Sequence, residues 1–307
     1  MKNVFIFLFI VTWGLLPLAC SDDHEGSVLK LSQTEIALSA AGERHQIQVE
    51  TDELLWQLSG KSDWVILERD SCFLRVSADN NPTREVRSAS FAVVAGKEHV
   101  SLQITQQGSV RAVGEYYPDA TNPVGVIYSL SDGGNHGKVI SFDEITGFCG
   151  PTEEANLGAR DLFDGKSNTQ AMLNAHKDKP DFQSAYSVFW WLLNEKNGGD
   201  VNGGWYIPAY YELLEMHAVL TGNKMVIPAS ITNLNPSYVH NGVIRSRFND
   251  LFVSHGGMPF SYLSTLYCSS SEYDLRQIRV VMFANNTLFT NLYAKTSEMY
   301  ARPILAF

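Results

Sequence analysis

"HQIQVETD", residues 45–52, alternates its side chains: Ile47 and Val49 fall on one side, Gln46, Gln48 and Glu50 on the other. Only an extended strand, with its two-residue period, sends such a pattern to two faces, one packed on a core and one in water. "HVSLQITQQG" (99–108) repeats the pattern with Val100, Leu102 and Ile104 against Ser101, Gln103 and Thr105. Between them lie the short apolar runs "LLWQL", "WVILE", "CFLRVSA" and "ASFAVV", separated by turn signals such as Ala95-Gly96-Lys97. Many short strands at regular spacing predict an all-β sandwich over residues 26–109.

Upstream, Lys2 precedes a nearly unbroken apolar run from Val4 to Leu16. A transmembrane helix needs roughly twenty such residues, so the run reads as an export signal rather than a span. "PLAC" (17–20) resembles a bacterial lipobox, which implies a lipid on Cys20, residues 1–19 as the signal, and an outer-membrane anchor facing the cell exterior. A plain secretory signal cleaved near Ala19 is the alternative. Ser21-Asp22-Asp23-His24-Glu25 resembles the acidic export signal of Bacteroidetes surface lipoproteins and also suits a solvated tether over residues 20–25.

The chain of 307 residues carries a formal charge of -10, which becomes -11 once Lys2 leaves with the signal. An acidic chain without basic clusters argues against nucleic acid as a partner. Beyond Cys20 there are Cys72, Cys149 and Cys268, with no C-x-x-C pair. Spacing alone gives no disulfide framework, and three buried free thiols are expected.

The opening "LKLSQTEIALSAAGERHQIQVETD", then Trp56, Trp64, Asp79-Asn80-Asn81-Pro82 with Arg84 and Arg87, and the closing "ITQQG" together resemble the BACON domain over residues 26–109. That resemblance implies an immunoglobulin-like sandwich. Trp56 and Trp64 are expected in its core, although tryptophan faces also pack on sugar rings.

From Val110 onward the texture changes, and residues 110–307 read as a second domain. "GVIYSL", the turn "GGNHGK" and "VISFDE" predict a hairpin. In "GKSNTQAMLNAH", Asn168 or Thr169 is placed to cap a short helix. After Pro180, the residues Phe182, Ala185, Tyr186, Phe189, Trp190 and Leu193 share one helical stripe, with Trp191 off it. In "GGWYIPAYYELLEMHAVL" (203–220) Pro208 suits a helix entrance, and Glu212 can reach back to a free backbone N–H.

This W-x-I-P-x-x-x-E-L segment resembles one in a large family of secreted bacterial domains with a C-type-lectin-like fold. "YYPDATNPVGVIYSL", "DGKSNT", "YCSSSEYD" and "YARPILAF" follow that family's order, so the resemblance spans residues 115–307 and implies an α+β C-type-lectin-like domain. Members usually have Ser or Thr where this chain has Ala209, which removes half of a capping box at about 1 kcal/mol unless another group replaces the hydroxyl. Cys268 stands where the family has Trp, so neighbours such as Phe283 or Tyr267 are expected to repack around it.

The eight histidines are scattered, and no H-E-x-x-H helix or repeated spacing suggests zinc. Asn235-Pro236-Ser237 and Phe248-Asn249-Asp250, the nearest counterparts of the calcium-binding segments of lectins with this fold, lack the loop carboxylate; no metal or cofactor is expected. His255-Gly256-Gly257 lacks an accompanying G-x-S-x-G elbow. Asp143-Glu144 and Glu153-Glu154 read as solvated pairs, and no catalytic residue is assigned. A polysaccharide hydrolase therefore ranks below the other readings.

The segment from Tyr262 to Tyr293 is rich in side chains that combine rigid area with adaptable hydrogen bonding. Tyr262, Tyr267, Tyr273, Asn285, Asn286, Asn291 and Tyr293 are its candidate ligand-binding residues. The expected function is non-enzymatic binding of an extracellular glycan or protein by the second domain. The alternative is a structural component of a surface adhesin or pilus-like assembly.

Overall fold

The computed structural model describes residues 28–152, 158–223, 225, 242–260, 265–283 and 288–307. Cys20 and the signal, Glu153-Glu154, Asn235-Pro236-Ser237, Tyr262, Asn285 and Asn286 lie outside the described residues. The protein is mostly β-sheet with few helices. No described helix is long and apolar enough to cross a membrane.

The first eight strands are β1 (Leu29–Leu31), β2 (Glu35–Leu38), β3 (Arg44–Thr51), β4 (Trp56–Ser59), β5 (Val65–Asp70), β6 (Phe73–Ala78), β7 (Arg87–Ala95) and β8 (Glu98–Gln106). They form two four-stranded sheets, in the orders β1-β3-β6-β5 and β2-β8-β7-β4. The alternation in β3 and β8 works as expected: Ile47, Val49, Leu102 and Ile104 are buried in one shared core with Trp56. The Trp56 indole N–H donates to Ser71 O at 2.8 Å, which satisfies its polar edge. Trp64 packs at the margin of this core under the Arg87 guanidinium, 4.6 Å from its ring centroid. Cys72 is exposed, contrary to the expectation of three buried thiols, because it sits in the β5–β6 turn rather than in a strand.

The "DNNP" turn ties this sandwich to the second domain. Asn81 is fully buried; its amide donates to Glu85 O and Gln107 O, and its oxygen accepts from Thr83. Asn80 instead reaches across the boundary, accepting from Gly133 N at 2.9 Å. Arg84 pairs with Glu115 through two nitrogens at 2.5 and 2.9 Å. Gly133 has φ +63°, and a Cβ there would lie 3.2 Å from Ala40 Cβ, so glycine serves both the turn and the close approach.

The second domain contains β9 (Tyr116–Tyr117), β10 (Gly125–Ser131), β11 (His136–Ser141), β12 (Ile145–Gly147), α1 (Gly165–His176), α2 (Phe182–Ala185), α3 (Ser187–Trp191) and β13 (Trp205–Tyr206). Next come α4 (Tyr210–Thr221), α5 (Gly242–Val253), β14 (Thr265–Glu272), β15 (Gln277–Phe283), β16 (Leu288–Ala294), β17 (Met299–Ala301) and β18 (Ile304–Ala306). The strands make two five-stranded sheets, β13-β18-β11-β10-β9 and β12-β17-β14-β15-β16. The predicted hairpin is β10–β11, antiparallel from Gly125↔Ser141 to Ser131↔His136.

Two cores flank the β14–β15 pair. Tyr267, Val281 and Phe283 pack with Leu213 of α4 and Phe252 of α5, whereas Cys268, Ile278 and Val280 pack with Leu173 of α1 and Phe189 of α3. Successive strand residues face opposite ways, so Tyr267 and Phe283 cannot fill space around Cys268 as expected. Cys149 does so instead, with its thiol at the Cys268 thiol; that contact and burial push the Cys149 pKa well above the ordinary thiol value.

Two helix expectations need correction. The cap of α1 is Asp164, whose carboxylate accepts from Ser167 N at 2.9 Å, while Asn168 and Thr169 are buried inside the helix. The stripe from Phe182 to Leu193 is not one helix: α2 and α3 break at Tyr186 (φ -122°, ψ 41°), and a π-turn runs from Leu192 to Lys196. The cause is a crossing segment, because Phe148 N donates to Ser187 Oγ and Val188 N donates to Phe148 O. Phe182, Tyr186, Phe189 and Leu193 are still buried together; Trp190 and Trp191 are partly covered.

Candidate functional site

Three of the sequence motifs meet at one buried hub. From "WYIPAYYEL", Glu212 Oε2 accepts from Ala209 N at 2.8 Å and from Gly165 N at 3.1 Å, and its Oε1 accepts from Tyr206 Oη at 3.0 Å. From "DGKSNT", Gly165 fits only as glycine, since a Cβ there would lie 2.4 Å from Ala209 N. Asn168 Nδ2 donates to Asp161 O at 2.7 Å, and Thr169 Oγ1 accepts from Ile207 N at 3.1 Å. From "YCSSSEYD", Ser270 N donates to Pro208 O at 2.8 Å. Ser271 Oγ donates to Asp161 O at 2.6 Å and accepts from Tyr210 N at 3.0 Å. Ser271 thus supplies from another strand a hydroxyl at the α4 entrance, where Ala209 has none.

The hub is scaffold. Burial pushes the Glu212 carboxyl above the usual carboxylate range, against the pull of Lys138 at 3.3 Å, the Ala209 N–H and the Tyr206 hydroxyl. Glu144, expected to be solvated, is instead held by Arg302 Nε at 3.0 Å and by Tyr267 Oη at 2.8 Å. Asp143 pairs with Lys196, whose ammonium lies 4.4 Å from the Trp205 ring centroid. Asn249 belongs to α5 rather than to a strand, and its amide clamps both the N–H and the C=O of Phe260. Among the described residues no group of three or more His, Cys, Asp or Glu is placed to hold a metal ion.

On the solvent side of the hub the surface is aromatic. Loop 158–164 places Phe163, 63 % exposed, flat on Tyr211, with ring centroids 4.2 Å apart and planes 3° apart. The loop is pinned by Tyr211 N donating to Leu162 O and Phe163 N donating to Asp161 Oδ1. The turn between β14 and β15 presents Tyr273, 45 % exposed, with the Arg279 guanidinium 5.0 Å from its ring centroid. Burial holds the Arg279 pKa below the ordinary arginine value, and the ionisable groups that act on it are the hydroxyls of Tyr210, Tyr273 and Tyr211. Its Nε and Nη1 are buried with no acceptor in reach among the described residues.

The candidate residues from the sequence divide accordingly. Tyr273 lies at this surface. Tyr267 does not: it is fully buried and spends its hydroxyl on Glu144, so its place is the core and not a ligand face. Asn291 and Tyr293 pair with Val280 and Ile278, on the opposite side of the sheet from Arg279, which pairs with Leu292. Phe163, Tyr211 and Arg279 were missed by sequence reasoning. An isolated Arg in an apolar strand is a weak signal, and nothing local says that a residue after Leu162 stacks on an α4 tyrosine.

No protein-family model matches the chain, and no curated protein is significantly similar to it. Among solved structures, a fimbrial protein from Bacteroides ovatus ATCC 8483 is 11% identical over 91% of this chain and 71% of its own, with a TM-score of 0.44. A protein from Bacteroides thetaiotaomicron is 17% identical over 30% of this chain and 98% of its own, with a TM-score of 0.26. A protein from Bacteroides vulgatus ATCC 8482 is 19% identical over 28% of this chain and 94% of its own, with a TM-score of 0.20. Likeness at these levels assigns neither family nor role.

Proposed function

We propose that this is a cell-surface lipoprotein, anchored to the outer membrane by a lipid on Cys20, that binds an extracellular glycan non-enzymatically through its second domain. In this reading residues 26–109 are a BACON-like, immunoglobulin-like spacer and residues 110–307 a C-type-lectin-like domain. The supporting observation is a set of surface aromatic rings, exposed Phe163 stacked on the half-buried Tyr211 and exposed Tyr273 against Arg279, which has no carboxylate partner among the described residues. Sugar C–H faces pack on aromatic rings, and a rigid ring loses little entropy on binding. Carboxylates that a hydrolase would need free, Glu144 and Glu212, are engaged in holding the fold.

A second reading, a component of a surface adhesin or pilus-like assembly, draws on the clasp between the domains formed by Arg84–Glu115 and Asn80–Gly133. A stiff junction suits a load-bearing rod. A glycan array probed with the purified mature chain and with Tyr273→Ala separates the two. Binding that is lost in the variant supports recognition. An empty array, with the native protein recovered in a multi-subunit surface polymer, supports assembly.

A further inference from the structure

Cys149 and Cys268 lie far apart in the sequence and meet in one core. Cys268 stands in the middle of β14, whereas Cys149 follows β12 in a segment that belongs to no strand. Both are fully buried, among Ile278, Val280, Met299 and Ala301. The backbone sets Cys149 in place: its N–H donates to Lys295 O at 3.0 Å, and the preceding Phe148 bonds to Ser187 and Val188. Held in this way, the Cys149 thiol lies in hydrogen-bond contact with the Cys268 thiol. Among the described residues no third metal-ligating side chain joins them, so the pair is not part of a metal cluster.

Two thiols can share a core as small apolar side chains, and in a reducing compartment they stay that way. In an oxidising compartment, two cysteines that the fold brings together become a disulfide when an oxidant reaches them during folding. The outcome turns on where the chain folds, and the apolar run Val4–Leu16 followed by "PLAC" directs it out of the cytosol. Cys72 does not compete for either partner, because it faces solvent in the β5–β6 turn of the sandwich.

We propose that Cys149 and Cys268 are joined by a disulfide in the exported protein, formed while the second domain folds. The pairing rests on the fold, and the compartment rests on the lipoprotein reading above. The oxidant is the disulfide of an exported thiol oxidoreductase. One cysteine thiolate attacks it to give a mixed disulfide, and the thiolate of the other cysteine displaces the enzyme. Two S–H bonds break, one S–S bond forms, and the oxidant takes up two electrons and two protons to become a dithiol. The step precedes closure of the core. Once the chain is folded neither sulfur is exposed, and the Cys268 contact and burial keep the Cys149 thiol protonated against the pull of the Lys295 ammonium. The folded dithiol is therefore a poor nucleophile. The bond clamps the segment after β12 to the middle of a sheet and closes a loop of roughly a hundred residues, which restricts the unfolded chain strongly.

The test is disulfide mapping by mass spectrometry of the full chain, exported by its own signal and denatured in an alkylating agent with and without reductant. Without reductant, Cys72 is alkylated, and the peptides carrying Cys149 and Cys268 appear as one species lighter by two hydrogens than the two free-thiol peptides together. Reduction frees both cysteines and lowers the melting temperature of the second domain by about 10 °C. Alkylation of Cys149 and Cys268 without reductant in the exported chain, or pairing of either with Cys72, overturns the assignment. Refolding of the reduced chain lacking residues 1–26 separates the pairing from the compartment. Oxidised glutathione present during refolding closes the same pair, whereas oxidised glutathione added after refolding leaves both thiols free. Free thiols after refolding with the oxidant overturn the pairing wherever the chain resides. A full chain recovered from the cytosol, with the pair closing on refolding, overturns the lipoprotein reading and leaves the pairing standing.

Discussion

Ser271→Ala probes the scaffold at its most connected point. Ser271 is fully buried; its hydroxyl donates to Asp161 O at 2.6 Å and accepts from Tyr210 N at 3.0 Å. Asp161 O keeps a second donor in Asn168 Nδ2 at 2.7 Å, so it is not stranded by the substitution. Tyr210 N is different. It is the first N–H of α4, where no preceding helical carbonyl exists to receive it, and Ala209 offers no side-chain acceptor. A buried donor left unmet costs about 1–3 kcal/mol. For a domain of this size a loss of about 2 kcal/mol lowers the melting temperature by about 4–8 °C. Differential scanning calorimetry of the purified mature chain reads this on the transition of the second domain. Ser101→Ala, an exposed site in the sandwich, stays within about 0.5 kcal/mol. Adding Ala209→Ser to the Ser271→Ala background recovers about 1 kcal/mol, because a hydroxyl at the cap position serves the N–H groups of the same turn. A Ser271→Ala variant as stable as the wild type refutes the view that the serine run replaces the missing cap.

Asn81→Ala should be as damaging to the sandwich. It deletes an amide that donates to Glu85 O and Gln107 O and leaves Glu85 O only the long bond from Thr83 Oγ1 at 3.4 Å, so a loss of about 2–4 kcal/mol is expected by chemical denaturation. In native thiol titration of a chain lacking residues 1–26, Cys72 reacts readily, while the buried Cys149 and Cys268 stay protected until denaturant is added. The Arg84 hydrogen bonds hold the Glu115 carboxyl below its ordinary value, so the stabilisation that Glu115 gives is present above the unfolded pKa of about 4.3 and fades as pH falls through the folded value. The melting-temperature difference between wild type and Glu115→Gln therefore shrinks toward zero on acidification. A difference that grows instead would contradict the pairing.

Much of the fold is legible in the chain because period-two alternation leaves little choice. Ile47 and Val49 can share a face only in a strand, and a one-residue slip would put both in water. The β10–β11 hairpin is legible from the glycine-rich turn between two apolar runs, with glycines where positive φ is needed. Helical spacing misleads between Phe182 and Leu193, since the same burial stripe survives a break imposed by a segment forty residues upstream. The landmark motifs are legible as landmarks, but their purpose is not. The reach of Glu212 back to a backbone N–H is legible in one dimension, but nothing there shows that Glu212, Asn168 and Ser271 are buried members of one hub, Asn168 touching the serine run directly. The exposed aromatic surface was only partly legible. Tyr273 was found because aromatic, polar turns are conspicuous, whereas Arg279 becomes notable only when three dimensions show that no described carboxylate faces it.

The central claim is that recognition belongs to the aromatic surface of the second domain and not to the sandwich. Hydroxyl-radical footprinting of the mature chain with and without saturating glycan measures this directly. Protection is predicted at Phe163, Tyr211 and Tyr273, with none at Leu54 and Leu55, the exposed leucines beside Trp56. Protection at Leu54 and Leu55 with Phe163 and Tyr273 unchanged would contradict it.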